Sequence, residues 1–288
     1  MDDHPPATLS YPFPAPPEPG AAVEVAPGIL WLRFPLPMAL DHVNVYALDD
    51  GDGWTVIATG IQSRRSREIW GTALQGPLAC WRGAGTDAAL LDRRMAERPF
   101  NFADTVAPLP LGFTRIQEGQ TLTAGGRDWT VRIGNGHAPE HATLWSEDIV
   151  IGGDQLLPSI SPNLGVYATE PLADPVADWR DSGTRLSAFA TADQLVLPGH
   201  KLPFRGLPTR LNQLIDNHHG ALQRLQSVLA TPHTAAECFQ TLFMRQIGEG
   251  EYGLALVEAM AHVLHLWHAG RVTRRLGEDG AWLWQAKD

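Results

Sequence analysis

Short apolar runs separated by turn residues fill the first part of the chain and restrict what it can fold into. Residues 28–34, 43–48 and 54–58 are such runs, rich in β-branched and aromatic side chains. A cluster of Asp and Gly at residues 49–53 lies between the last two runs and can adopt the positive φ angles of a tight hairpin. We therefore predict that the folded part of the chain begins as a β-meander.

The rest of the chain alternates between strand and helix patterns. Helical spacing predicts helices over residues 63–74, 86–98 and 207–229, and the last has an apolar stripe that suits packing on a sheet. Strands are predicted within residues 121–133, with a turn at Gly125 and Gly126, and at residues 143–145, 149–151 and 194–197. Residues 234–244 and 253–269 indicate two helices, followed by a hairpin over residues 272–284, which is the element order of a winged helix.

Composition restricts the location and the partners of the protein. Residues 1–20 contain seven prolines, a composition that favours extended, poorly packed backbone, so we predict a Pro-rich tail. They lack the basic-then-apolar layout of a secretion signal, so we predict a cytoplasmic protein. Cys80 and Cys238 are the only cysteines, so a metal ion would need His and carboxylate ligands. A formal charge of −10 disfavours nucleic acid as a partner, and no apolar run is long enough to predict a membrane span.

Three segments place metal-capable side chains directly after predicted strands. They are residues 136–141 (Gly-His-Ala-Pro-Glu-His), 152–155 (Gly-Gly-Asp-Gln) and 198–200 (Pro-Gly-His). Strand ends converge on one edge of a sheet, so ligands that are distant in sequence can meet there. A single Gly-His turn has little predictive value, but the order and spacing of the three segments are informative.

These segments resemble the metallo-β-lactamase superfamily, in particular its long hydrolase branch with a C-terminal winged helix. The resemblance covers about residues 21–288 and also includes residues 203–206 (Pro-Phe-Arg-Gly). It implies an α/β fold, with an αββα sandwich at residues 21–230 and a winged-helix domain at residues 231–288, after a tail at residues 1–20. It also implies that His137 is a ligand of a first metal ion, that Asp154 bridges two ions, and that His200 is a ligand of the second.

Two departures from the family pattern bear on activity. The family's His-x-His-x-Asp-His signature, which gives two ligands to each metal ion, occurs nowhere, and residues 60–136 contain no His. Ala58 stands where the family's Asp-Thr-Gly turn has its Asp. The segment at residues 60–136 is also shorter than is usual in the family, as though a strand and its flanking helix near residues 76–85 had been removed. We therefore predict a sandwich that is about one strand and one helix short.

The remaining ligands are His137, Asp154 and His200, which by number can hold one zinc ion at most, or none. His141 lies four residues from His137, and we interpret it as a residue that supports the site without binding the metal ion. In an alternative interpretation, His141 or His42 is a substitute ligand. The other histidines considered lie on predicted helices and are interpreted as solvated or half-packed: His218, His219, His262, His265 and His268.

Three functions remain open at this point. In the first, the chain is a hydrolase homologue that is catalytically impaired or inactive. In the second, it is a mononuclear metal-dependent hydrolase of small esters, thioesters or lactones. The third alternative is a binding or regulatory subunit that pairs with an intact paralogue or with itself, because a missing strand would expose sheet edges. The predicted winged helix carries 5 basic against 7 acidic residues, so it lacks the basic face that a DNA reader needs.

Overall fold

The computed structural model describes residues 8–18, 21–35, 40, 42–51, 53–58, 81–96 and 114–287. These residues form two compact units. The first unit contains the described residues up to 58 together with 114–162 and 179–216. The second contains residues 81–96, 163–178 and 217–287. No helix in the described ranges is both long enough and apolar enough to cross a membrane.

The first sheet of the first unit is the predicted meander. Its strands are β1 (Ala22–Ala26), β2 (Ile29–Pro35), β3 (His42–Asp49) and β4 (Trp54–Ala58), and each pairs antiparallel with the next. Gly28 and Gly51 lie in the turns with φ of 74° and 86°, which a residue with a Cβ adopts at a cost. The glycine-containing turns and the alternating strands lie where the sequence predicts them, so the predicted β-meander is confirmed.

The second sheet carries the segments of interest for function. It contains β5 (Thr121–Ala124), β6 (Arg127–Gly134), β7 (His141–Trp145), β8 (Ile149–Gly153) and β9 (Leu195–Pro198), in that order. The first four strands pair antiparallel, and β8 pairs with β9 in parallel. Because β8 and β9 run in the same direction, their carboxyl ends lie at the same edge of the sheet.

The core of the first unit lies between the two sheets. Ile29, Trp31, Tyr46 and Leu48 of the first sheet pack with Trp129, Ile149, Ile151 and Leu197 of the second. Trp31 and Trp129 are completely buried, and burial of an aromatic side chain of this size contributes on the order of 3 kcal/mol. The two sheets therefore form the β-sandwich that the sequence predicts.

The helices of the described residues are α1 (Ala88–Ala96), α2 (Pro175–Ser187), α3 (Leu207–Val228), α4 (Phe239–Phe243) and α5 (Tyr252–His268). Two of them, α2 and α3, cover the other face of the second sheet. In the first unit, Leu186 of α2 and Leu207 and Leu211 of α3 pack with residues of β7, β8 and β9. The described residues thus supply one outer helical layer and both sheets of the predicted sandwich, and the α/β fold is confirmed. The predicted helix at residues 63–74 and the predicted loss near residues 76–85 lie largely or wholly outside the described residues.

The C-terminal part of the second unit has the predicted order of two helices and a hairpin. A 3-10 turn at Ala236–Cys238 leads into the short α4, α5 follows, and β10 (Val272–Leu276) pairs with β11 (Trp282–Ala286). The first of the two helices is shorter than residues 234–244 because the 3-10 turn occupies its start. The assignment of this part as a winged-helix domain, and the boundary at residue 231, stay predictions.

Part of the Pro-rich N-terminal stretch packs on the first unit, contrary to our expectation of poorly packed backbone. Ser10 exchanges backbone hydrogen bonds with Arg205, at 3.4 and 2.9 Å. The Phe13 ring lies 6.1 Å from that of Trp31 in an edge-to-face arrangement. The composition of residues 1–20 does not reveal that part of this stretch pairs with a distant segment.

Candidate metal centre

The structure brings together the three residues that the sequence singles out. His137 follows β6, Asp154 follows β8 and His200 follows β9. The Asp154 carboxylate lies between the two imidazoles: its Oδ2 is 3.4 Å from His137 Nε2 and its Oδ1 is 3.4 Å from His200 Nε2. The convergence at one edge of the sheet is therefore as predicted, and the parallel β8–β9 pair explains why Asp154 and His200 are neighbours.

The position of the Asp154 carboxylate depends on two glycines. A Cβ on Gly199 would lie 2.1 Å from Asp154 Oδ1, so only glycine leaves room for the carboxylate. Gly153 precedes Asp154 with φ of 49°, and its carbonyl oxygen accepts a hydrogen bond of 2.8 Å from the Gly199 amide. The glycines before Asp154 and His200 thus provide the space and the backbone conformation that the carboxylate needs.

The electrostatics favour an ionised Asp154. Burial alone would raise the pKa of the carboxyl, but the neighbouring His200 and His137 hold that pKa well below its usual range. Its Oδ1 atom is buried and has no hydrogen-bond partner among the described residues. A buried carboxylate oxygen without a donor is costly, and a cation would satisfy it.

His200 has a fixed tautomer that suits a metal ligand. Its Nδ1 lies 2.6 Å from the carbonyl oxygen of His42, and because a carbonyl only accepts, Nδ1 carries the proton. In the neutral form of the ring, Nε2 is then unprotonated and faces Asp154 Oδ1. Two acceptors facing each other at 3.4 Å repel unless a cation lies between them. Two ligands bound tetrahedrally to zinc at their usual bond lengths lie about 3.4 Å apart, so the spacing of His200 Nε2 and Asp154 Oδ1 fits two ligands of this ion.

The carboxylate separates two positions, and each position has one imidazole and one carboxylate oxygen. Among the residues that the structure describes, no group of three or more His, Cys, Asp or Glu side chains is arranged to hold a metal ion. This agrees with the observation that His137 and His200 face different oxygens of Asp154. Within the described ranges, each position therefore has two of the four ligands that structural zinc sites use.

His141 lies beside His137 at the start of β7. The two rings are 6.1 Å apart, and His141 Nδ1 is buried without a hydrogen-bond partner in the described part of the chain. Burial and the neighbouring His137 lower the pKa of His141, which favours the neutral imidazole. The residue lies where the sequence analysis placed an indirect support, and its role there stays a prediction.

His42 is engaged elsewhere and is a poor substitute ligand. Its Nδ1 lies 2.6 Å from an Arg33 guanidinium nitrogen, and its Nε2 accepts a hydrogen bond of 3.0 Å from the Lys201 amide. Both ring nitrogens thus face hydrogen-bond donors. The alternative in which His42 binds the metal is not supported by this geometry.

Sequence reasoning missed the residues of β3 that contact the His200 loop. Asn44 and Tyr46 are buried and donate hydrogen bonds to carbonyl oxygens of residues 198 and 201. A signal was present, since His42, Asn44 and Tyr46 place polar groups at alternate, inward positions of an otherwise apolar strand. A second missed feature is strain: Glu140 and Lys201, each in a ligand-bearing segment, have φ of 51° and 69°.

The helical histidines lie in the second unit, and two of them are more buried than expected. His218 and His262 are 2% and 3% exposed, and their rings stack with centroids 5.6 Å apart, so the prediction of a solvated or half-packed role is wrong for this pair. His265 Nδ1 lies 2.9 Å from Asp174 Oδ1, and His268 Nε2 lies 2.9 Å from the Leu172 carbonyl oxygen. His262, His265 and His268 of α5 contact three different groups, because His262 Nδ1 lies 2.8 Å from the Glu258 carbonyl oxygen.

Comparisons with known proteins identify the family. A family model described as the metallo-beta-lactamase-like C-terminal domain matches residues 222–287. No curated protein matches the sequence at a significant level. A beta-lactamase domain protein from Burkholderia ambifaria, known as a crystal structure, is 33% identical, with 97% of this chain and 98% of that chain covered and a TM-score of 0.82. A metallo-beta-lactamase family protein from Thermus thermophilus is 23% identical, with 91% of this chain and 100% of that chain covered and a TM-score of 0.67, and shares the fold. The chain therefore belongs to the metallo-β-lactamase superfamily.

Proposed function

We propose that this protein is a metallo-β-lactamase-fold hydrolase homologue with a residual zinc site and impaired catalysis. The observation that carries the proposal is the Asp154 carboxylate, which lies between the imidazoles of His137 and His200. The absence of His from residues 60–136 supports impaired catalysis, because the family takes half of its ligands from that interval.

The residual site consists of His137, Asp154 and His200, and it binds one zinc ion at most. A zinc ion, when bound, supplies a Lewis acid that polarises a carbonyl and lowers the pKa of a water. Asp154 provides the negative charge, and His200 provides a lone pair on a fixed tautomer. Because the two imidazoles face opposite oxygens of the carboxylate, both can reach one ion only if a side chain turns, and we expect weak binding. Residual turnover would act on small esters, thioesters or lactones.

Metal content tests this proposal. The full chain is incubated with zinc, dialysed and measured by elemental mass spectrometry, alongside His200→Ala and Asp154→Asn. His219→Ala is the matched control, because it removes an exposed imidazole of the second unit. We expect no more than one ion per chain in the wild-type protein and in His219→Ala, and none in the two site variants. Two ions per chain with ordinary esterase or thioesterase turnover would contradict impairment, and no ion under any condition would exclude the residual site.

A second candidate function is a binding or regulatory subunit. Trp54 and Val56, at alternate positions of β4, are 52% and 59% exposed, and exposed apolar side chains on a strand favour association. The binding partner would be an intact paralogue or a second copy of the chain. The formal charge of −10 disfavours nucleic acid as a partner. Light scattering and co-purification with a tagged chain test this: a strict monomer without a co-purifying protein contradicts it.

A further inference from the structure

Strand β3 holds the loop that carries His200. The inward residues of β3 are His42, Asn44 and Tyr46, and all three bond to residues 198–201. The His42 carbonyl oxygen accepts a hydrogen bond from His200 Nδ1, and the backbone N–H of Asn44 donates to the Gly199 carbonyl oxygen at 2.7 Å. The Tyr46 hydroxyl donates to the Pro198 carbonyl oxygen at 2.9 Å.

Asn44 has the central position in this set. Its Nδ2 donates to the Pro198 carbonyl oxygen at 2.9 Å and to the Lys201 carbonyl oxygen at 2.8 Å, one residue beyond each end of the Gly199–His200 pair. The residue is fully buried, so water cannot replace these bonds. An amide group offers two N–H donors, which hydroxyl and carboxylate groups do not. A hydroxyl or carboxylate side chain at this position therefore cannot reproduce the contact.

The held loop is strained at Lys201. A φ of 69° in a residue with a Cβ costs on the order of 1 kcal/mol and persists only where surrounding contacts enforce it. Here the Lys201 amide donates to His42 Nε2 and its carbonyl oxygen accepts from Asn44. Release of these contacts would let the loop relax and would remove His200 Nδ1 from the His42 carbonyl oxygen.

We propose that Asn44, assisted by Tyr46, is a positioning residue that keeps His200 in the Nδ1–H tautomer and aims its Nε2 at Asp154. The inference rests on the proposed function for its consequence in zinc binding, but the tautomer itself is a property of the metal-free protein. Partners that orient a ligand typically change metal affinity by about 10- to 100-fold.

Two readouts test the proposal on the full-length protein. The first is the His200 tautomer in the metal-free state, read from ¹⁵N chemical shifts and assigned with His200→Ala. The second is zinc affinity by calorimetry. We expect wild-type protein to show the Nδ1–H form. Asn44→Ala and Asn44→Asp should populate the Nε2–H form and bind zinc about 10- to 100-fold more weakly, with the larger effect in Asn44→Asp, whose carboxylate would face two carbonyl oxygens.

Trp129→Phe is the matched control. It removes another buried hydrogen bond of the same unit, from Trp129 Nε1 to the Ala124 carbonyl oxygen, without touching residues 198–201. Tyr46→Phe removes only the bond to Pro198 and carries the test if the Asn44 variants do not fold; it should shift the tautomer in the same direction. Unchanged tautomer and zinc affinity in folded Asn44 or Tyr46 variants would overturn the proposal, as would equal effects in Trp129→Phe. Wild-type protein that binds no zinc defeats the proposed function, and the tautomer then decides the positioning role alone.

Discussion

The space left by Gly199 gives a direct way to displace the Asp154 carboxylate without removing a ligand. In Gly199→Ala the new Cβ would lie 2.1 Å from Asp154 Oδ1, which is 1.3 Å short of the 3.4 Å at which ordinary contact begins. The Cβ would also lie 3.1 Å from the backbone carbonyl carbon of Gly153 and 3.2 Å from Asp154 Cγ, so rotation of the carboxylate oxygens alone leaves two contacts shorter than 3.4 Å. A functional constellation tolerates displacements of about 0.5 Å, and the required shift exceeds this.

We expect Gly199→Ala to weaken zinc binding by at least about 100-fold, more than the loss of an orienting partner usually does. The overpacked site should also lower the free energy of unfolding by about 1–3 kcal/mol. Calorimetric titration with zinc and urea unfolding measure the two effects. Gly53→Ala is the matched control in the same unit, because a Cβ there meets no atom within 4 Å. Unchanged zinc affinity in Gly199→Ala would refute the argument that this glycine makes the carboxylate's position possible.

Two further predictions concern the second unit. Burial, partly opposed by Asn163, raises the pKa of Glu258 to about 7 from its ordinary 4.5, so the native state retains a proton that the unfolded state releases, and stability falls as pH rises between these values. The side chain introduced by Glu258→Gln is neutral at every pH. Relative to wild-type protein, the free energy of unfolding of the variant, measured with urea, should therefore increase by at most about 3 kcal/mol at pH 8. A difference between the two proteins that is independent of pH would contradict this. Gly85→Ala combines φ of 86° with a Cβ 2.4 Å from that of Thr234. Urea unfolding should show a loss of about 2–4 kcal/mol, against about 1 kcal/mol for Gly270→Ala, which has φ of 70° and open space, and equal losses would contradict the steric argument.

The strands and the edge that carries the candidate site were predictable because their signals are local. Gly125 and Gly126 have φ of 59° and 66° and mark the β5–β6 turn that the sequence predicts. His137, Asp154 and His200 directly follow apolar runs, and strand ends share an edge. In each case one short segment carries the information.

The contacts that hold the site were not predictable, since they join distant segments. The alternation of β3 indicates that Asn44 is an inward polar residue, but it does not indicate that the partners of its amide are carbonyl groups 154 and 157 residues later. The burial of His218 is a different case. It lies four residues from both Leu214 and Leu222, on the apolar stripe of α3, so its position indicated burial while its residue type indicated solvent. Position was the better guide there.

The pairing of β8 with β9 has a consequence for the order in which the protein folds. The antiparallel pairs described above join strands that are adjacent in sequence, and they close short loops at a small entropic cost. β9 joins β8 only after α2 and the segments around it have been crossed, and the bond from His200 to His42 spans 158 residues. Contacts of such sequence separation form slowly relative to local hairpins. The ligand loop therefore depends on the slowest kind of contact in the first unit, and a late step of refolding would be the one that creates the metal-binding geometry.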